Sequence, residues 1–136
     1  MPGARAFVVR VALAALAAAA AAWALSMFGA VYVGGESMAP ALRQGDLVIY
    51  RRGAARVGAG DVVWVAKAGW PHGVLHRVQD VLLDGRVVLR GDANPVPDLE
   101  PVERRDVRGT VVIVVPTGRA YCVVATLARM LQSHAT

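Results

Sequence analysis

Ser37 precedes Met38-Ala39-Pro40, which places a hydroxyl group on a short, stiff segment of the chain. Such a segment does not lie inside a helix, because proline lacks the backbone donor and restricts the residue before it. A serine hydroxyl is a weak nucleophile and needs a base within hydrogen-bond reach. The side chains best suited to act as that base are His76, His72 and Lys67, with a carboxylate as a less favourable choice. The residue types therefore permit nucleophilic catalysis by Ser37, but they do not show which side chain acts as its base.

Each candidate residue also has an ordinary structural interpretation. Isolated serines mostly form turns or helix caps, and a histidine on a strand face is usually packed or exposed. Asp92 and Asp98 occur in a proline-containing stretch, where aspartate commonly bonds its own backbone. Spacing alone does not join Ser37, His76, Asp92 and Asp98 into one site.

A long apolar run precedes Ser37. Residues 11–33 contain no charge, and 23 helical residues span roughly 34 Å, enough to cross a hydrocarbon core of about 30 Å. Because Arg5 and Arg10 precede the run, residues 1–10 are expected to be a cytoplasmic tail, with the rest of the chain on the extracytoplasmic face of the plasma membrane. A cleaved secretory signal is the alternative, since residues 20–22 are alanines, but the run exceeds the usual apolar region of such signals. We therefore expect a retained, single-pass transmembrane anchor at 11–33.

Composition limits the classes of function. The formal net charge of +5 favours weak attraction to anionic lipid headgroups. The arginines are not interleaved with aromatic residues, which argues against nucleic-acid binding. The single cysteine, Cys122, rules out an internal disulfide, and three scattered histidines lack the spacing of a zinc site. No metal and no organic cofactor are expected.

The region after the anchor favours short strands separated by turns. Runs rich in β-branched and aromatic residues predict strands at 47–50, 61–66, 73–83, 86–90 and 110–115. Asp84-Gly85 favours a type I′ hairpin turn, and His76 projects from one face of the strand before it. We expect an all-β catalytic domain at 34–118, a small folded sheet or barrel-like fold, with a helical segment at 119–136.

Several short segments resemble, in order, the conserved boxes of type I signal peptidases. The resemblance lies in residues 35–42, 45–50, 60–65, 76–78 and 91–98. Each segment is weakly specific by itself. Their occurrence in family order behind an N-terminal apolar run is a specific signal that covers most of residues 33–115.

The resemblance implies a subclass and a role for each candidate residue. Most bacterial members carry a lysine base immediately before the arginine, whereas this chain has His76, as in the endoplasmic-reticulum and archaeal branch. By resemblance, Ser37 attacks the scissile carbonyl, and His76 takes its proton and passes it to the leaving amine. Asp98 matches the residue that orients the histidine, and Asp92 matches a supporting aspartate. Lys67 is a rival base without that sequence context.

Gly35 departs from the pattern of many members. They carry a serine or threonine two residues before the nucleophile, where the hydroxyl helps to stabilise the oxyanion. The backbone N–H of Ser37 is one expected donor, and the sequence does not identify a second. A missing donor typically lowers the rate by about 10²–10³.

The resemblance implies a membrane-bound serine endopeptidase that cleaves signal peptides from exported preproteins with small residues before the cleavage site. Such a substrate is expected to bind as an added strand. Membrane lipid is a further expected partner, and the protein-export machinery is a candidate one. Two alternatives stay open: a dedicated processing peptidase with one or few substrates, and an inactive, membrane-anchored binding domain.

Overall fold

A computed structural model describes residues 2–118 of the 136-residue chain. Helix α1 (Pro2–Met27) comes first. The strands that follow are β1 (Phe28–Tyr32), β2 (Leu47–Arg52), β3 (Val62–Val65), β4 (Val74–Val81), β5 (Val87–Arg90) and β6 (Val107–Val115), with a 3₁₀ turn at Arg104–Asp106. The predicted helical segment at 119–136 lies outside the described residues.

The six strands form one antiparallel sheet in the order β1-β2-β6-β3-β4-β5. The all-β prediction is confirmed apart from α1, but the sheet is not closed, so the expected barrel-like form is wrong. Closure requires every strand to be paired on both sides. Within residues 2–118, β1 pairs only with β2, and the outer side of β5 carries a single bridge, between Val87 and Val102.

Helix α1 begins and ends earlier than the predicted anchor. It includes most of the expected cytoplasmic tail and stops at Met27, while the last predicted anchor residues form β1, paired with β2 from Phe28–Arg51 to Tyr32–Leu47. An apolar run does not distinguish a helix from the strand that continues it. Gly3–Met27 is long and apolar enough to span a membrane, and its residues are not buried against the sheet.

Two apolar clusters hold the domain together. The larger contains Val57, Val63, Val65, Val78, Val87, Leu89, Val102 and Val107. The smaller contains Val33, Met38, Leu42 and Val48. Met38 is 1% exposed and follows Ser37 directly. Burial of a side chain of this size stabilises a fold by about 1.5–3 kcal/mol, so the Met38 contact fixes the Ser37 segment against the sheet.

The hairpin between β4 and β5 forms as predicted, but with a different turn. Gly85 has a φ of 87°, whereas no non-glycine residue in the described part of the chain has a positive φ. A type I′ turn would require a positive φ at Asp84 as well. The Gly85 N–H donates to the Leu82 carbonyl at 2.8 Å, which is typical of a type I turn followed by a glycine bulge. The predicted type I′ turn is therefore wrong.

Candidate active site

Ser37 lies in the turn that follows β1. The Ala39 N–H donates to the Glu36 carbonyl at 3.0 Å, and the Leu42 N–H donates to the Met38 carbonyl at 2.9 Å. The backbone around Ser37 is therefore a bonded turn with one buried neighbour. This agrees with the short, non-helical segment that the proline predicts.

Ser37, His76 and Asp98 form a continuous hydrogen-bonded chain. The Ser37 Oγ lies 3.2 Å from His76 Nε2, and His76 Nδ1 lies 2.7 Å from the Asp98 Oδ2. His76 projects from β4, opposite Val63 of β3, so the sheet holds its ring. The His76 and Asp98 side chains are only 10% and 19% exposed, which strengthens their interaction relative to one in water. Hydroxyl, imidazole and carboxylate in this order are suited to nucleophilic acyl transfer.

Asp92 binds Arg77 and not His76. The Arg77 Nε and Nη2 donate to the two Asp92 carboxylate oxygens at 2.8 and 2.7 Å, and Arg77 Nη1 donates to the Gly60 carbonyl at 2.9 Å. The Arg77 hydrogen bonds hold the pKa of Asp92 below its usual range, against an opposing effect of burial and with help from the Arg77 charge. Because Arg77 is next to His76 in β4, this pair ties the segment that carries Asp98 to the strand that carries the imidazole.

The segment after β5 also contacts the Ser37 backbone. The Ala93 N–H donates to the Ser37 carbonyl at 2.8 Å, and the Asp98 N–H donates to the Leu89 carbonyl at 2.8 Å. A Cβ on Gly91 would lie 2.6 Å from the Ser37 carbonyl oxygen, closer than real Cβ contacts allow. Residues 91–98 therefore position the hydroxyl and the carboxylate together.

The rival bases do not hydrogen-bond the Ser37 hydroxyl. Lys67 Nζ lies 3.6 Å from Glu100 Oε2 and 4.4 Å from the centroid of the Trp70 ring. His72 is exposed and lines the same cleft as Ser37 without hydrogen-bonding it. Within residues 2–118, the side chain that hydrogen-bonds the Ser37 hydroxyl is His76.

A cleft of about 390 Å³ opens beside Ser37. It is lined by residues 31–35, Ser37, Met38, Trp64 and residues 72–75. One wall is the end of β1 and the residues after it, and β1 is an edge strand of the sheet. An edge strand offers unpaired backbone donors and acceptors to an extended peptide.

Two contributors to this arrangement were not predicted from the sequence: Arg77 as the partner of Asp92, and Gly91 as the point of close approach to Ser37. Arg77 could have been found from the sequence, because it follows His76 directly and its charge is opposite to that of Asp92. Within residues 2–118, no group of three or more His, Cys, Asp or Glu side chains is placed to hold a metal ion.

A scan against protein-family models and a search of curated proteins gave no match to this chain.

Proposed function

We propose that this protein is a membrane-anchored serine endopeptidase that removes signal peptides from exported preproteins, as type I signal peptidases do. The observation that carries the proposal is the hydrogen-bonded chain from Ser37 through His76 to Asp98, at the wall of a cleft bordered by an open strand edge. Ser37 is the nucleophile, His76 the general base and Asp98 the residue that orients it.

The proposed reaction uses the two nitrogens of His76 in different roles. Asp98 accepts the Nδ1–H hydrogen bond, which leaves Nε2 free to take the Ser37 proton as Oγ attacks the scissile carbonyl. The imidazolium then donates that proton to the leaving amine, and an ester to Ser37 remains. His76 next takes a proton from water, whose oxygen attacks the acyl carbon. His76 returns that proton to the Ser37 Oγ as the ester bond breaks, which regenerates the hydroxyl and the neutral imidazole.

One backbone group near Ser37 is available to the oxyanion formed in this reaction. The Ser37 N–H makes no hydrogen bond to any residue within 2–118, so it can donate to the oxyanion. Gly35 supplies no hydroxyl, and a Cβ placed there would meet no atom within 4 Å. A substrate or solvent group therefore has room beside Gly35.

The substrate class follows from the cleft and the anchor. The walls of the cleft are largely apolar and its volume is small, which suits short, apolar side chains on an extended peptide. Helix α1 continues directly into β1, which is roughly 17 Å long, and Ser37 lies in the turn that follows this strand. A substrate whose scissile peptide bond emerges close to the membrane is therefore best placed to reach Ser37.

The proposed location is the plasma membrane, with the N-terminus in the cytoplasm and the β-domain outside. Arg5 and Arg10 support this orientation, because cytoplasmic flanks carry the excess of positive charge. Labelling of a cysteine introduced at exposed Leu83, in a chain that also carries Cys122→Ser, by an impermeant reagent in intact cells tests it. Labelling only after cell lysis would contradict the orientation.

The peptidase activity is tested by incubating the purified full chain in detergent with a preprotein and locating any cut by mass spectrometry. Cleavage after small residues, absent in Ser37→Ala, is the expected result. Cleavage of one preprotein from a broad panel would favour the dedicated processing enzyme. Retention of preproteins without any cleavage would favour the binding domain.

A further inference from the structure

Three arginines surround a small depression where β2 ends. Arg51 and Arg52 are the last residues of β2, and Arg56 lies in the loop that follows. With Gly53, Ala55 and Thr110, they line a depression of about 190 Å³. All three arginine side chains are exposed.

This depression adjoins the C-terminal end of the apolar helix. Phe28, the residue after α1, pairs with Arg51 across the β1–β2 ladder. The Arg52 Nε donates to the Phe28 carbonyl at 3.0 Å. The arginines therefore lie where the chain leaves the helix.

The length of the helix places this junction at the level of lipid headgroups. The last charge in α1 is Arg10, and the 17 residues from there to Met27 rise roughly 26 Å, close to a hydrocarbon core of about 30 Å. With Arg10 at one headgroup layer, Met27 lies near the opposite one. Met27 lies near a headgroup layer in either orientation of the helix.

The three arginines are not neutralised by the rest of the domain. Within residues 2–118, no carboxylate forms a salt bridge with Arg51, Arg52 or Arg56, whereas Arg77 and Arg86 each pair with an aspartate. Guanidinium groups bind phosphate oxygens through paired hydrogen bonds. An uncompensated cluster at this level is complementary to a phosphodiester.

We infer that the depression binds the phosphate of an anionic phospholipid, such as phosphatidylglycerol, at the end of α1. A lipid fits better than free phosphate because exposed Leu25 and Met27, in the last turn of α1, provide an apolar surface for its acyl chains just before Phe28, which pairs with Arg51. This inference rests on the membrane anchor in the proposed function and is independent of the peptidase chemistry.

The test uses Trp23 as a reporter of nearby lipid. Trp23 is exposed and lies four residues before Met27, about 6 Å along the helix axis. The full chain is reconstituted in phosphatidylcholine vesicles to which phosphatidylglycerol or phosphatidylcholine with brominated acyl chains is added. Bromine quenches only tryptophans that contact the acyl chains, so quenching measures the local concentration of each lipid.

Brominated phosphatidylglycerol is expected to quench Trp23 at a lower mole fraction than brominated phosphatidylcholine. Arg51→Gln/Arg56→Gln should weaken this preference by about 25-fold, since each arginine near an anionic lipid contributes a factor of about five. Arg43→Gln/Arg86→Gln removes the same amount of charge far from the helix end. This control variant should retain the preference for phosphatidylglycerol. Millimolar inorganic phosphate should not displace the lipid.

Equal quenching by the two lipids would overturn the lipid site, as would an unchanged preference in the Arg51→Gln/Arg56→Gln variant. Neither result would contradict the membrane anchor. Displacement by inorganic phosphate would reassign the depression to a free anion and also overturn it. Absence of quenching by either lipid would overturn the site together with the anchor. The peptidase activity would still be tested separately, by preprotein cleavage.

Discussion

His76 Nε2 lies 3.2 Å from the Oγ of Ser37, although the two residues are 39 positions apart. His76 is held by β4, while Ser37 is held by the buried side chain of Met38. The two sides of this contact therefore depend on different parts of the fold. Their juxtaposition brings a weak nucleophile within reach of a base.

The first prediction concerns the identity of that base. Ser37→Ala and His76→Ala are each expected to lower kcat by about 10⁴-fold or more, because nucleophile and base act as one unit. Lys67→Ala should stay near wild type, since Lys67 contacts Glu100 and Trp70. Single-turnover cleavage of a preprotein by each variant measures this. A large loss in Lys67→Ala with activity kept in His76→Ala would assign the base to Lys67.

The second prediction concerns Asp98. Asp98→Asn replaces the acceptor at His76 Nδ1 with a group of the same shape that is able to donate, which favours the wrong imidazole tautomer. We expect a fall in kcat of about 10³–10⁴-fold, with little change in KM. Asp98→Glu should recover part of the rate if it can still reach the ring. Equal activity of wild type and Asp98→Asn would remove Asp98 from the mechanism.

Much of the sheet is predictable from the sequence because its strands are short runs of β-branched residues between turn residues. The predictions for β2 to β5 differ from the observed strands by at most a few residues at each end, and β6 begins three residues earlier than expected. Strand β1 is not predictable in this way. Phe28–Tyr32 continues the apolar run of the helix, and only its pairing with β2 makes it a strand.

The candidate site could be predicted only in part. The resemblance proposes Ser37, His76 and Asp98, and the fold brings these three together. No local pattern encodes the contacts that do so, because they join a turn, a strand and a loop far apart in sequence. The Arg77–Asp92 pair illustrates this limit, since its role depends on the path of the chain after β5.

The third prediction concerns the pH dependence of stability. Arg77 lowers the pKa of Asp92 in the folded protein, so the pair stabilises the fold above the ordinary aspartate pKa of about 3.9. This contribution is lost as the pH falls through the lower, folded value. Asp92→Asn should therefore reduce stability at pH 7 by about 1 kcal/mol, a modest value because Arg77 is 38% exposed to screening solvent. The free energy of unfolding of Asp92→Asn should also fall less than that of the wild type upon acidification.

Urea unfolding of the full chain in detergent between pH 3 and 7 measures both effects. Asp84→Asn is the matched control, because Asp84 pairs with Arg86 on an exposed turn and should change stability little. Identical acid dependence of wild type and Asp92→Asn would contradict the assigned role of the Arg77–Asp92 pair.

The fourth prediction adds an oxyanion donor. Gly35 has open space around its Cα, and by resemblance a serine there would place a hydroxyl beside the oxyanion. Gly35→Ser is expected to raise kcat by about tenfold, less than the full effect of a native donor because its hydroxyl is not held by neighbours. Gly34→Ser, which also meets no atom within 4 Å, should leave kcat unchanged. Equal kcat for both variants and the wild type would argue against an oxyanion at this position.

The fifth prediction concerns the close approach of residues 91–98 to the nucleophile. In Gly91→Ala the new methyl group would lie 2.6 Å from the Ser37 carbonyl oxygen, a backbone atom, so the loop or the turn must move. A displacement of about 1 Å is enough to cost about 10²-fold in rate. Gly58→Ala introduces the same methyl group where no atom lies within 4 Å and should retain full activity.

Steady-state cleavage and urea unfolding of the Gly91→Ala and Gly58→Ala variants separate misplacement of Ser37 from general damage to the fold. If Gly91→Ala is folded and slow, the hydrogen bond from the Ala93 N–H to the Ser37 carbonyl is the contact expected to be lost. Full activity in folded Gly91→Ala would show that the turn adapts without moving the Ser37 hydroxyl away from His76.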